Sequence, residues 1–232
     1  MSFDAAAAAR EIGAANQAYL AGEYGAAIAR YEAALGAGAD GADLWFNLGN
    51  AYYRAGQHGR AALAFERALR RSPGDAAARE NLELVRGQSE AAHVAPREPF
   101  LDRVGGRVDP DAAAAALVVC WSLACTAWLV RRLLRNTLAR ALAATGLAVL
   151  LLATAAAAAT VAATWQVRGA GQAVVVEAGE VLHAPDPSAA RVFTAPEGLK
   201  LESDRRIGTF AHVRLGEREG WIEARRLEPI DR

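Results

Sequence analysis

The sequence predicts a multidomain protein with an all-α repeat solenoid, a hairpin of two transmembrane helices and a small all-β barrel. Three observations predict this arrangement. Small and aromatic residues recur 34 residues apart near the amino terminus, two long stretches without charge follow, and short β-branched runs end the chain. The predicted ranges are repeats with a capping helix at 1–90, a linker at 91–111, membrane helices at 112–130 and 141–165, a basic loop at 131–140 and the barrel at 172–232.

The overall composition argues against several kinds of function. The 232 residues include 26 Lys and Arg against 26 Asp and Glu, and this balance gives no reason to expect nucleic acid. Cys120 and Cys125 lie on different faces of a predicted helix, so neither a disulfide nor a metal pair is expected. His183 and His212 are far apart in sequence and lack further metal ligands. Without a catalytic triad, a phosphate-binding loop or a metal cluster, the sequence predicts a non-enzymatic protein with no cofactor and no metal.

The internal repeat becomes visible when the segment that begins at Ala14 is aligned with the one that begins at Leu48. The matching pairs are Ala15 with Gly49, Gly22 with Gly56, Ala27 with Ala61, Tyr31 with Phe65, and Ala34 with Ala68. Small residues at helix crossings and an aromatic residue between the helices resemble the tetratricopeptide repeat. The second copy completes this pattern with Trp45, Leu48, Tyr52 and Pro73. A third helix, from Asp75 to about Gln88, is predicted to cap the solenoid.

Two repeats and a cap would form a shallow groove lined by the first helix of each pair, which suits an extended or helical peptide. The candidate groove residues are Asn16, Tyr19, Phe46, Asn50, Tyr53 and Arg54. In peptide-clamping tetratricopeptide domains, asparagines at the places of Asn16 and Asn50 bind the ligand together with lysines or arginines. The matching neighbours here are Ile12, Glu80 and Leu84. The resemblance therefore does not imply a carboxylate clamp, and an alternative is that both asparagines only cap or pack within the solenoid.

The two uncharged stretches have 19 and 25 residues, and each is long enough to cross a hydrocarbon core of about 30 Å as a helix. The short linker between them predicts an antiparallel hairpin. Four arginines lie in or beside that linker: Arg131, Arg132, Arg135 and Arg140. By the positive-inside rule this loop faces the cytoplasm, so both termini are predicted to lie outside it. Neither stretch contains a charged residue, which argues against a transporter or a channel.

One feature of the amino terminus opposes export. The opening MSFDAAAAAREIG lacks the basic region and the leucine-rich region of a secretory signal peptide. Either the first membrane helix carries the repeats across the membrane, or a signal peptide precedes this start.

The carboxy-terminal region begins with a valine strand and continues through a loop at 184–188, a hairpin turn at Gly216-Glu217 and a closing GWIEARRLEPI. This order of features resembles bacterial SH3-like domains, which are small barrels. The predicted core residues are Val175, Val181, Leu199, Leu201, Val213, Leu215 and Ile222. The candidate ligand surface consists of Phe193, Phe210 and Trp221. The region contains no tyrosine, so the polyproline groove of eukaryotic relatives is not implied.

The order of all parts resembles the BatE-type proteins of the bacterial aerotolerance operon. This resemblance implies a membrane-anchored scaffold that assembles with other membrane proteins of that operon and has a role in envelope or oxidative stress tolerance. It also implies a two-pass protein of the bacterial inner membrane with both termini in the periplasm. An alternative is a membrane protein that binds peptidoglycan, since bacterial SH3-like domains often contact the cell wall.

Overall fold

A computed structural model of the chain describes residues 4–89, 94, 108–134, 136–167 and 171–231. The chain forms two compact units. One unit contains Met1–Arg97 together with Ala170–Arg232, and the other contains Glu98–Gly169. The helices of the first unit are α1 (Ala5–Leu20), α2 (Tyr24–Gly36), α3 (Ala42–Arg54), α4 (His58–Arg71) and α5 (Ala76–Gln88).

The 34-residue period corresponds to two helix pairs, α1 with α2 and α3 with α4. Gly22 and Gly56, which match across the repeats, end the turns within the pairs with φ of +80° and +76°. This left-handed conformation suits glycine, which has no Cβ to clash with the following carbonyl. At Gly49 a Cβ would lie 2.7 Å from the ring of Phe65, so this helix crossing requires a glycine. The repeated small residues therefore mark the places where helices approach most closely.

Seven strands of the described chain form one antiparallel sheet in the order β3-β2-β6-β5-β4-β1-β7. The strands are β1 (Gln172–Val175), β2 (Gly179–Leu182), β3 (Arg191–Ala195), β4 (Lys200–Ile207), β5 (Phe210–Leu215), β6 (Arg218–Glu223) and β7 (Leu227–Pro229). All seven predicted core residues are buried in one cluster of this sheet. The prediction of a closed barrel is not confirmed, because β3 and β7 remain edges in the described pairing. Closure requires matched strand number and stagger, which local alternation does not encode.

Two hairpins of the sheet use the same kind of turn at opposite ends of β5. Ile207 pairs with Phe210 around Gly208, whose φ is +57°. Leu215 pairs with Arg218 around Gly216, whose φ is +61°. A glycine at the first central position is typical of a two-residue turn that matches the twist of antiparallel strands.

The sheet packs directly against α4, so repeats and sheet share one hydrophobic core. Val174, Val176 and Ile230 belong to the same buried cluster as the repeat helices. At the first turn of α4, a Cβ on Gly59 would lie 2.7 Å from the carbonyl carbon of Val176. Because the two backbones touch here, Gly59 determines how closely β1 approaches α4.

The second unit contains two packed helices, α6 (Pro110–Leu133) and α7 (Thr137–Val167). Among the described residues these two are long and apolar enough to cross a membrane, with mean hydropathy of 2.0 and 2.1 over Asp111–Leu133 and Thr137–Ala162. Both extend beyond the predicted spans. The turn between them is consequently shorter than the predicted basic loop, and Arg131, Arg132 and Arg140 lie within the last and first turns of the helices.

We expect Gly59→Ala to destabilise the first unit by about 1–3 kcal/mol, because the added methyl group must displace the backbone of Val176. The matched control is Gly25→Ala. Gly25 lies 34 residues earlier, also at the second residue of its helix, with open space around it. Replacing it should stabilise α2 by roughly 0.5–1 kcal/mol, since alanine favours helix.

Thermal unfolding of the two variants in detergent, followed by intrinsic fluorescence, compares these effects directly. Equal changes in melting temperature for Gly25→Ala and Gly59→Ala would contradict a tight contact between α4 and β1.

Candidate binding surfaces

The candidate groove residues lie on α1 and α3, the first helices of the two pairs. Asn16 and Arg54 are exposed, and the other four are partly exposed. The sheet contacts the repeat helices at a different surface, formed on α4 by Gly59, Ala62 and Glu66. The groove surface and the sheet contact therefore use different helices.

Both asparagines bridge helices inside the solenoid. The Oδ1 atom of Asn16 accepts a hydrogen bond of 2.6 Å from the hydroxyl of Tyr31. Burial, and secondarily the nearby Tyr19, raise the pKa of Tyr31, so its hydroxyl keeps the proton that it donates. The Oδ1 atom of Asn50 accepts a hydrogen bond of 2.9 Å from Asn81.

These bonds agree with the alternative in which the asparagines pack within the solenoid, but they engage only the amide oxygens. Each amide NH₂ group carries two donors. Within the described contacts, the donors of Asn16 and Asn50 remain available to a ligand. A peptide-binding role for the groove stays a prediction.

Aromatic residues line the groove where α1 and α3 end. Tyr19 packs edge to face against Tyr24, with ring centroids 5.5 Å apart. The guanidinium of Arg54 lies 5.0 Å from the centre of the Tyr24 ring, which links the two repeats. The Tyr53 hydroxyl accepts a hydrogen bond of 2.8 Å from Gln88 at the end of α5. These contacts hold the aromatic side chains in place and reduce the entropy that a ligand would remove on binding.

Phe46 lies deeper in the same surface. Its ring centre is 5.9 Å from that of Phe65, the buried aromatic residue of the second repeat. Phe46 therefore joins the groove to the core, and its partly exposed face can contact a ligand.

The predicted ligand surface of the sheet presents less aromatic area than its residue types indicate. Phe210 and Trp221 are 7% and 8% exposed and form a small buried cluster with Leu182. Phe193 packs against the main core of the sheet. Consequently only small parts of these three side chains face solvent, and their role in ligand binding stays a prediction.

A polar cluster surrounds the buried His212 beside Trp221. The Nδ1 atom of His212 lies 2.8 Å from Asp204 Oδ1, and its Nε2 atom lies 4.0 Å from a carboxylate oxygen of Glu219. The hydrogen bond from His212 lowers the pKa of Asp204. Arg205 lies over the Trp221 ring at 5.4 Å. In the described part of the chain, no three His, Cys, Asp or Glu side chains are arranged to hold a metal ion.

Sequence reasoning missed a charged group between the helices and the sheet. Glu66 of α4 is 9% exposed. Its carboxylate forms ion pairs with Arg86 at 2.7 Å and with Lys200 at 3.3 Å. Burial alone would raise the pKa of Glu66, but Lys200 and Arg86 together overcome it and hold the pKa below its usual value. Arg86 also donates to the carbonyl oxygen of Gly198, which joins α5 to the sheet.

Arg67, next to Glu66, extends the polar contact along α4. Its guanidinium donates a hydrogen bond of 2.8 Å to the carbonyl oxygen of Pro229 in β7. It also lies 4.6 Å from the ring centre of Trp45, which completes the repeat pattern in the second copy. The sequence signal for this group is the pair of charges, Glu66 and Arg67, that interrupts the apolar residues 61–65 and 68–69.

Three of the four arginines assigned to topology, Arg131, Arg132 and Arg140, lie at the end of α6 and the start of α7. Arg132 is exposed and lies 5.5 Å from the ring centre of Trp128. Arg140 is exposed and Arg131 is half-buried, while Arg135 lies outside the described residues. The described arginines are thus placed near one end of the helix pair.

Comparison with known proteins supports the repeat assignment. A family model described as tetratricopeptide repeat matches residues 12–76, which contain both helix pairs except for the first turns of α1. The chain therefore contains tetratricopeptide repeats, a non-enzymatic fold that mediates protein–protein interaction. No match was found to a curated protein or to a solved structure.

We expect Glu66→Gln to destabilise the protein by about 2–3 kcal/mol at neutral pH, because Lys200 and Arg86 then lose the carboxylate between them. This loss of stability is smaller than is usual when one partner of a fully buried ion pair is removed. The reason is that Arg86 and Lys200 keep roughly a quarter of their side chains exposed to water.

Glu66 should also make stability depend on pH. Its pKa is lower in the folded state, so its stabilising effect is present above the ordinary glutamate pKa of about 4.3 and is lost as pH falls through the folded-state value. Melting temperatures measured from neutral to acidic pH should therefore fall less steeply for Glu66→Gln than for the native chain. The control is Glu83→Gln, an exposed position on α5 that should leave the profile unchanged.

Proposed function

We propose that this protein is a membrane-anchored protein–protein interaction scaffold of the BatE type, which assembles with other membrane proteins of the aerotolerance operon in envelope or oxidative stress tolerance. The observation that carries the proposal is the pair of tetratricopeptide repeats whose groove is lined by partly exposed aromatic and amide side chains. No enzymatic step is needed for this role.

The chemistry of the groove favours a peptide as the ligand. The amide donors of Asn16 and Asn50 lie at equivalent positions of the two repeats, and backbone carbonyl oxygens of a peptide are their natural acceptors. Tyr19, Phe46 and Tyr53 add aromatic surface for apolar side chains, and Arg54 adds one positive charge. The groove would thus bind a segment of a partner protein through main-chain contacts and aromatic packing.

Membrane anchoring is supported by α6 and α7. Their large apolar side chains are widely exposed, for example Val118 at 64% and Leu152 at 72%, and surfaces of this kind are rare on soluble proteins. The repeats precede these helices and the sheet follows them, yet both belong to one compact unit. Two helices that cross a membrane as a hairpin leave the preceding and the following segments on the same side. The repeats and the sheet must lie on one side, because they share a hydrophobic core. The arginines beside the turn favour the periplasm for both flanks.

Peptidoglycan binding through the sheet is the second candidate, and it receives less support. Carbohydrate and peptide ligands of small β domains contact exposed aromatic rings, whereas Phe210 and Trp221 are largely buried. Sedimentation of the full chain in mild detergent with purified sacculi tests this alternative, and pelleting that depends on the sheet would favour it.

We expect the double variant Asn16→Ala, Asn50→Ala to weaken partner capture about thirtyfold, since two hydrogen bonds of about 1 kcal/mol each add to about 2 kcal/mol. Capture is measured by cross-linking the full chain in native membranes, followed by purification in mild detergent and mass spectrometry. The matched control is Tyr31→Phe. This variant removes the same internal bond to Asn16 but leaves the groove surface unchanged, because Tyr31 is 1% exposed.

The single variant Asn16→Ala is measured beside Tyr31→Phe, since both remove the same internal bond. If Tyr31→Phe weakens capture as much as Asn16→Ala does, Asn16 acts through solenoid packing and not through the ligand. If the double variant captures the same proteins as the native chain, the groove is not the interaction surface.

Topology is tested with single cysteines in a Cys120→Ser, Cys125→Ser background. We expect a membrane-impermeant maleimide to label Ser188→Cys in intact spheroplasts and to spare Asn136→Cys, since Asn136 lies beside the basic turn. Replacing Arg131, Arg132, Arg135 and Arg140 with glutamine should reduce this difference. The reverse labelling pattern would place the repeats and the sheet in the cytoplasm.

A further inference from the structure

The tip of the β4–β5 hairpin, residues 205–209, exposes an apolar side chain beside two cations. Ile207 is 51% exposed, and Arg205 and Arg206 immediately before it are exposed as well. The adjacent acid, Asp204, is bonded to His212. The hairpin tip therefore combines positive charge with an apolar side chain that no other part of the sheet covers, within the described residues.

The register of the sheet determines the direction of this tip. Gln172, the first residue of β1, lies opposite Glu202 of β4 in an antiparallel pair. Beyond that pair β4 continues to Ile207, whereas β1 begins at Gln172. The hairpin tip therefore extends about 15 Å past the start of β1, opposite to the direction in which β1 runs.

The chain between α7 and β1 is short. The helix ends at Val167 and the strand begins at Gln172, and an extended chain of this length covers at most about 17 Å. A helix that crosses a bilayer ends near its head groups, so this chain length keeps Gln172 within about 17 Å of the helix end and leaves the hairpin tip within reach of a bilayer surface. This step rests on the membrane anchoring proposed above.

We propose that the hairpin tip binds anionic phospholipid head groups, with Arg205 and Arg206 on the phosphates and Ile207 in the interface. Guanidinium groups bind phosphate oxygens in pairs, and an apolar side chain beside basic ones is typical of interfacial segments. Each basic residue near an anionic surface strengthens binding about fivefold. Two arginines alone would bind a soluble protein to a membrane only weakly. Attachment to a membrane helix, however, gives the tip a high effective concentration at the surface.

The opposite end of β5 offers a matched comparison. The β5–β6 turn has the same length and the same leading glycine, but it carries Glu217 and Glu219 beside Arg218. An anionic surface would attract the hairpin tip and not this turn, although both belong to the same sheet.

The test uses the full chain with Cys120→Ser and Cys125→Ser, carrying either Thr209→Cys or Glu217→Cys labelled with the fluorophore NBD. Each protein is reconstituted into vesicles of phosphatidylcholine, with or without phosphatidylglycerol, that contain a spin-labelled lipid as quencher. We expect quenching at position 209 in the phosphatidylglycerol vesicles, and little at position 217. Arg206→Gln should lower the equilibrium constant for membrane contact, obtained from quenching at position 209, about fivefold. Arg206 is chosen because Arg205 also packs on Trp221.

Resistance to alkaline extraction separates failure of this proposal from failure of membrane anchoring. Suppose that the chain resists extraction. Lipid binding by the hairpin tip is then wrong if position 209 is not quenched, if phosphatidylglycerol makes no difference to its quenching, or if position 217 is quenched equally. Membrane anchoring stands in each of these cases. If alkali releases the chain from the vesicles, both proposals are wrong.

Discussion

The contact between α4 and the sheet is the constraint on which the rest of the larger unit depends. Solenoids of helical repeats generally need about three repeats, because each repeat buries its apolar face only against a neighbour. Within the described residues, the solenoid consists of two repeats and one further helix, α5. Val174, Val176 and Ile230 of the sheet enter the helical core and supply part of the missing apolar surface. The sheet therefore acts as a lateral cap on the solenoid.

Charge makes this contact specific. Apolar surfaces alone can slide against one another, whereas Glu66 requires Arg86 on one side and Lys200 on the other. A buried carboxylate without both partners would be costly, so the ion group favours one register of sheet and helices. Gly59 adds a steric requirement in the same place, since only a residue without a side chain admits the backbone of Val176.

The contact with the sheet and the candidate groove lie on different helices of the repeats. The stripe of α4 that meets the sheet carries the close packing and the buried charge, while the groove on α1 and α3 keeps exposed amide and aromatic groups. A ligand in the groove would consequently leave the contact between helices and sheet intact. Different parts of the sheet also differ in exposure. The buried aromatic cluster around Trp221 stabilises the fold, while the tip of one hairpin exposes arginines and an isoleucine.

The sequence by itself determined the features that local pattern encodes. The 34-residue period identified the repeats, the uncharged stretches identified two helices long enough to cross a membrane, and alternation along the strands identified the core of the sheet. Only the tertiary structure decided how these parts meet. Glu66 and Lys200 are 134 residues apart, and nothing in either local sequence indicates the other. The internal bonds of Asn16 and Asn50, and the open edges of the sheet, likewise depend on contacts between distant segments. Periodicity describes which face of an element is buried, whereas the partner of that face is selected by packing and charge in three dimensions.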